Sequence, residues 1–366
     1  MAAARSANRE VYIDTFRGLM ALVMVQGHLC DTLLQPAIRA SALYQFQTLF
    51  HGSTAPGFLF ASGFVAGLPR APLSGRAALR RARRLLFVLG VGYVLHLPYF
   101  SLAKTLVATP AEKALLFACD ALQVIAVTQL AVIALQMVAG ARWTAWAGAL
   151  AAAIVAAGPF VWAADLSSGM PPLLGAYIDD RSGSIFPIFP YAAFVLAGTV
   201  AGAGLGRQEP RARHRRALRF GLGLLALGAL MAPLLEGRVD FWSISPAYVL
   251  LRLGGLLLLL RAVEAAVARG LPGTEALALL GRETLLVFVL HLYFLYGGIV
   301  SAAPLASYVN RLEVGAALVF LALMVVVLLA AAWLWRSAKQ WAPHEAQMAL
   351  VFLSVAFLYE FATRPW

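Results

Sequence analysis

Apolar runs of 17 to 25 residues recur along the whole chain, and they restrict it to one kind of solvent. A helix needs about 20 such residues to cross the hydrocarbon core of a bilayer. Ten runs reach that scale, at approximately 12–30, 44–68, 84–102, 114–138, 143–163, 184–205, 217–235, 246–263, 284–303 and 313–335, and a weaker eleventh lies at 346–362. The runs are continuous and lack the alternation of a barrel strand, so the expected fold is all-α, a polytopic transmembrane helix bundle of 10–11 spans. Composition agrees: 61% of the 366 residues are hydrophobic and 13% charged, about half the charged share of a soluble domain. With no soluble stretch between spans and no convincing internal repeat, residues 1–366 read as a single membrane domain with a short N-terminal segment, 1–11, ahead of the first span.

The formal net charge of +12 is not a nucleic-acid signature, because the basic residues sit in short loops between apolar runs. They alternate in number from loop to loop. Arg5 and Arg9, Arg70 to Arg84, Arg142, Arg207 to Arg219, Arg261 to Arg282, and Arg336 with Lys339 put 20 on one side, against six on the other. The positive-inside rule makes the rich side, and the N-terminus, cytoplasmic. Contact with anionic lipid is expected there. Residues 1–30 lack the short apolar core and small-residue cleavage site of a signal peptide, so the first span is expected to stay. Cys30 and Cys119 read as small buried apolar residues. The histidines and cysteines do not recur at ligand spacing, and no metal site is expected.

The titratable residues within the spans are the candidates for chemistry, since charge at bilayer depth is costly and rare. The first span holds Asp14, Arg17 and His28. Eleven residues at 100° each bring Arg17 and His28 to nearly one face, three turns apart. His51, His96, Asp120 and Arg252 fall in the outer halves of their spans, and His291 about a third of the way in from the cytoplasm. This clustering predicts a polar cavity opening away from the cytoplasm. Plainer roles stand beside each of these: interhelical hydrogen bonds for His96 and His291, a packing ion pair between Asp120 and Arg252, and pairing of Asp14 with Arg17 or helix capping by Asp14. The loop 164–183, with Pro171 and Pro172, is long enough to serve as a lid. The glycines Gly52, Gly57 and Gly63 permit close helix packing and form no nucleotide loop.

The segment Ile13-Asp14-Thr15-Phe16-Arg17-Gly18, followed at the set interval by His28, resembles the arginine–histidine motif of the membrane acyltransferase type 3 families. The run Ala55-Pro56-Gly57-Phe58-Leu59-Phe60-Ala61-Ser62-Gly63-Phe64 is similar to their aromatic-rich segment. Asp120 to Ile125, Phe186 to Tyr191, and Leu280-Gly281-Arg282-Glu283-Thr284 leading to His291 look more like the branch related to the heparan-α-glucosaminide N-acetyltransferase catalytic domain. Together they cover about 10–300, in order.

The resemblance implies an acyltransferase that takes an acyl group, usually acetyl, from cytoplasmic acyl-CoA and delivers it to a hydroxyl or amine of a saccharide or glycolipid acceptor across the membrane. It places the family's motif arginine at Arg17 and its histidine at His28. In the lysosomal branch the position matching His28 resembles an asparagine and a key histidine follows it, a role for which His51 is the candidate here. Acyl transfer needs a base and donors for the developing oxyanion. His28 is expected to take the acceptor's proton, an acyl-histidine being the alternative. Arg17 would orient the donor, Asp120, Arg252 and His51 would line the acceptor side, and cytoplasmic arginines near Arg84 would meet CoA phosphates. His291 joins them as a candidate binding residue. Homo-oligomerisation stays open. The runner-up is a transporter or flippase using the same charges as a pathway, and a non-catalytic relative is the third reading. A bacterial inner membrane is the expected location.

Overall fold

The computed structural model describes residues 2–68, 73–97, 100–206, 208–298 and 303–365, with the backbone course alone for 2–10 and 210. Arg70 and Arg207 lie outside the described residues. Thirteen longer helices carry the described chain: α1 (Ala2–Leu33), α2 (Ala42–His51), α3 (Thr54–Gly67), α4 (Gly75–Val94), α5 (Ala121–Val138), α6 (Trp143–Ala163), α7 (Ile188–Leu205), α8 (Pro210–Leu235), α9 (Pro246–Ala268), α10 (Thr274–Arg282), α11 (Thr284–Tyr296), α12 (Val314–Trp341) and α13 (Pro343–Thr363). Among the described residues there is no strand, and a single isolated bridge joins Leu34 to Leu312. Among the described residues, six helices are long and apolar enough to cross a membrane: α5, α6 with the turn before it, α7, most of α8, α12 and α13. α10 and α11 pass the same test together, bent by 86°. The protein is an all-α, polytopic integral membrane protein.

α1, α4 and α9 coincide with further expected spans and carry arginines along their length. The expected span 44–68 is broken between α2 and α3. Gly52 and Ser53 close turns onto Thr48 and Phe50, and the Thr54 hydroxyl donates to the His51 carbonyl at 2.8 Å. The expected span 114–138 starts later than its hydropathy suggests. Residues 114–116 belong to a short helix, Pro110–Leu116, held by a capping box of Thr109 and Glu112, and α5 begins only after Asp120. Likewise α4 ends at Val94, so His96 lies in the turn beyond it. The ninth span ends at Tyr296, where Gly297 has φ +80°, a left-handed conformation that suits glycine. α12 and α13 are separated only by Ala342, with Pro343 in the first turn of α13, where its missing N–H costs nothing.

The chain forms two compact units. One comprises Met1–Ala55, Tyr99–Val107 and Val263–Trp366. Its axis is α1, whose Tyr12, Ile13, Phe16, Met20, Met24, Leu29 and Leu33 are buried, close to the stripe a 3.6-residue period predicts. α1 runs along α10 and also touches α11, α12 and α2. The α1–α10 crossing is backbone on backbone: a Cβ on Gly18 would stand 1.8 Å from the Leu277 carbonyl oxygen, and one on Gly281 1.7 Å from that of Asp14. Past the end of α1 the chain is strapped to 310–312, with Leu312 N donating to Leu33 O at 2.8 Å and Gln35 N to Leu312 O at 3.0 Å.

The other unit comprises Pro56–Pro98 and Ala108–Ala262. α7 is its centre, packed on α6 and α5, while α4 packs on α5. Reciprocal glycine contacts seat α3 against α7, Gly63 and Gly67 on Val195 and Thr199, Gly198 and Gly202 on Phe60 and Phe64. The segment 164–187 contains short helical turns and is held by Arg181. Its guanidinium reaches Asp165 at 2.7 Å, Asp179 at 2.8 Å and the Trp162 carbonyl at 2.9 Å.

Candidate active site

Three histidines converge in the first unit. α1 carries His28, α11 carries His291 and the last residue of α2 is His51. His28 Nδ1 and His291 Nε2 are 2.9 Å apart, with the two rings nearly parallel at 20°. The His51 ring meets that of His28 edge-on, centroid to centroid 5.9 Å.

The proton positions of the first pair follow from the one partner that cannot donate. His291 Nδ1 lies 2.9 Å from the Val287 carbonyl, one turn earlier on α11. A carbonyl only accepts, so in the neutral ring Nδ1 carries the proton and Nε2 is a lone pair. His28 Nδ1–H must then donate to it, which leaves the lone pair of His28 on Nε2, facing away from His291. His291 is fully buried. The pair therefore fixes the tautomer and the direction of the one basic nitrogen on His28.

Around His51 the partners are different. Its Nε2 is 3.4 Å from Asp31 Oδ2, and the Tyr44 hydroxyl donates to Asp31 Oδ1. Arg39 donates to the Asp31 carbonyl at 2.5 Å and to Asn310 Oδ1 at 2.5 Å, tying the turn after α1 to the strap. His51 packs directly on Gly27: a Cβ there would fall 1.7 Å from His51 Nδ1.

Arg17 stands at the other end of this face of α1. Its Nη2 donates to Thr284 Oγ1, the first residue of α11, at 2.5 Å. Asp14 is 3.8 Å from Arg17 but 3.0 Å from Arg282 Nε, so the expected Asp14–Arg17 pair is the looser of two. Capping by Asp14 does not occur, because α1 begins twelve residues earlier. At the 86° elbow, buried Glu283 takes Lys339 of α12 at 2.6 and 2.7 Å. A cavity of about 400 Å³ beside this cluster is lined by Val11, Glu275, Ala276, Ala278, Leu279 and Arg282.

The remaining expected residues belong to the second unit. Asp120 is the N-cap of α5, its Oδ1 accepting from Ala121 N at 2.7 Å. Its ionic partner is His96, at 4.0 Å, whose Nδ1 faces the Gly92 carbonyl. Arg252 lies over the Tyr248 ring, 5.2 Å from its centroid. Arg84 is exposed on α4.

The structure thus brings His28 against both His51 and His291, adds Asp31, Tyr44, Arg39 and Lys339, which sequence reasoning did not single out, and gives partners to Arg282 and Glu283, which it had quoted only as part of a motif. Asp31 had a readable signal, three residues after His28 on the same helix face. Among the described residues, no group of three or more histidine, cysteine or acidic side chains is arranged to hold a metal ion.

A comparison with curated proteins gives no match. The family model described as heparan-alpha-glucosaminide N-acetyltransferase, catalytic, matches residues 9–235. That range includes Asp14, Arg17, His28, Asp31, His51 and Asp120, and it covers more than half of the chain. The chain belongs to the heparan-alpha-glucosaminide N-acetyltransferase catalytic family, a family of transmembrane acetyltransferases.

Proposed function

We propose that this protein moves an acetyl group from acetyl-CoA, taken up on the cytoplasmic side, to a hydroxyl or amine of a sugar-type acceptor on the opposite side of a bacterial inner membrane, with its N-terminus cytoplasmic. The family supports the acetyl group and the sugar-type acceptor, and the charge asymmetry of the loops supports the orientation. The observation that carries the reading is the His28–His291 hydrogen bond anchored on Val287. It turns His28 Nε2 into an oriented base within a membrane helix.

In the reaction, the acceptor's O–H or N–H proton passes to His28 Nε2 as the acceptor atom bonds to the acyl carbon. The C–S bond breaks and the thiolate leaves, taking up a proton to become the thiol. Arg17 is eleven residues from His28, about 16 Å along the helix axis. An extended pantetheine arm spans a comparable distance, so Arg17 can hold a phosphate of the donor while the thioester reaches His28. Thr284 orients the guanidinium for this. Replacing the imidazole by a phenyl ring in His291→Phe, which removes the nitrogen that accepts from His28, is expected to lower turnover by about 10–100-fold, with little change in the KM for acceptor, because His28 then loses its fixed tautomer. Arg17→Ala is expected to raise the KM for acetyl-CoA more than it lowers turnover.

The 86° break between α10 and α11 favours a second reading, a transporter, since transporters build sites on broken helices. The test is sided. In proteoliposomes of known orientation, labelled acetyl-CoA is added to the cytoplasmic face with a panel of amino and neutral sugars on the other. Acetylated sugar on the far side supports the acetyltransferase; uptake of unmodified sugar without transfer supports the transporter.

A further inference from the structure

His51 and Asp31 take no part in the proton transfer to His28 Nε2 itself, yet they stand beside that base. With Nε2 directed at the Asp31 carboxylate, neutral His51 carries its proton on Nε2 and its lone pair on Nδ1. That nitrogen is buried against Gly27 and has no hydrogen-bond partner. A buried acceptor without a donor is unfavourable, and a proton delivered to that nitrogen would place an imidazolium beside a carboxylate, a charge-assisted pair. Asp31 is held for this role from its other side by the Tyr44 hydroxyl. The carboxylate is also 43% exposed, whereas His51 is 18% exposed, so a proton placed on this pair has a way out through Asp31.

We propose that Asp31 and His51 form a second acid–base pair that relieves His28 of the acceptor's proton and releases it to the aqueous phase beyond the end of α1, with Asp31 as the positioning residue. The proposal rests on the reading of His28 as the base. The proton moves from His28 Nε2 to His51 Nδ1, the ring centres standing 5.9 Å apart, as the His51 ring turns to lift Nδ1 off Gly27. His51 Nε2–H then gives up its proton through Asp31 to water, which leaves both histidines neutral, and a half-turn of the His51 ring, bringing Nδ1–H to Asp31 and Nε2 toward His28, readies it for the next proton. No bond other than N–H and O–H changes, and no co-reactant is needed. Of the titratable groups here, His28 and Asp31 of α1 act on His51 directly, and Tyr44 of α2 acts through Asp31. Asp31 is the acidic one among them. Asp31→Asn removes that charge and lets an amide N–H face His51 Nε2, which inverts the tautomer.

The experiment is steady-state acetyl transfer in proteoliposomes with His51→Ala and Asp31→Asn, titrated with imidazole and with buffer base on the side to which Asp31 opens. Both variants are expected to lose about 10–100-fold in turnover with the KM for acetyl-CoA unchanged. Turnover should become dependent on buffer concentration in the variants and stay independent of it in the parent protein. Imidazole should restore His51→Ala, where a ring-sized space opens beside Gly27, but not the double variant with Asp31→Asn. A folded His51→Ala protein, with the parent's melting temperature, that imidazole fails to restore would overturn the proposal. So would buffer-independent turnover at the parent rate in Asp31→Asn, which serves alone if His51→Ala does not fold. Full activity in His28→Ala would sink the base reading itself, a different result from either of these.

Discussion

His28→Ala is expected to lower acetyl transfer by about 10²–10⁴-fold, the range general base catalysis contributes, while leaving the KM for acetyl-CoA near that of the parent. Donor binding should survive because Arg17 keeps its bond to Thr284, at the far end of the same face of α1. The variant also strips fully buried His291 of its donor on Nε2, which costs about 1–3 kcal/mol. Thermal melting in detergent therefore accompanies the kinetics. A modest drop in melting temperature with near-complete loss of turnover is the expected combination. An equal fall in both would make His28 a packing residue.

Gly281→Leu is expected to have the largest effect on folding. The Cβ alone would stand 1.7 Å from the carbonyl oxygen of Asp14, and neither backbone can retreat while Gly18 presses on Leu277 in the reciprocal contact. Overpacking a core that can relax costs about 1–3 kcal/mol. Here α1 and α10 must part along their crossing, and the Asp14–Arg282 pair goes with it. Loss of a monodisperse peak in size-exclusion chromatography, or a drop in melting temperature too large for a single side chain, checks this. Gly255→Ala is the control. It lies within α9 with nothing within 4 Å of the new Cβ, and it should be neutral or stabilising by up to about 1 kcal/mol. A parent-like Gly281→Leu protein would mean that the α1–α10 contact is not needed.

What could be read in advance divides by the range of the interaction. The alignment of Arg17 with His28 is a property of one helix and its period, and it holds within α1. The helix at 143–163 matched its apolar run from end to end, because no charged residue interrupts that run before Asp165 and Pro159, inside it, does not end the helix. Asp120 misled for the opposite reason: an apolar stretch ran through it, but an aspartate that can accept from the next backbone N–H starts a helix better than it continues one. His291 was visible as a titratable residue in an apolar run. Its partner was not, because that depends on the 86° turn between α10 and α11, and the turn is held by Lys339, 56 residues from Glu283. Gly27 tells the same story. A glycine in an apolar helix is unremarkable until the ring it admits is known to arrive from α2.

Whether the oriented histidine inside α1 serves acetyl transfer to a sugar is tested by a rapid-quench experiment on purified parent protein and His28→Ala, with acetyl-labelled acetyl-CoA and the sugar acceptor found active in the sided assay, following label in saccharide and on protein separately. Label is expected in the saccharide with the parent alone, and none held on the protein at any time. Saccharide labelled at equal rates by both proteins would contradict that role.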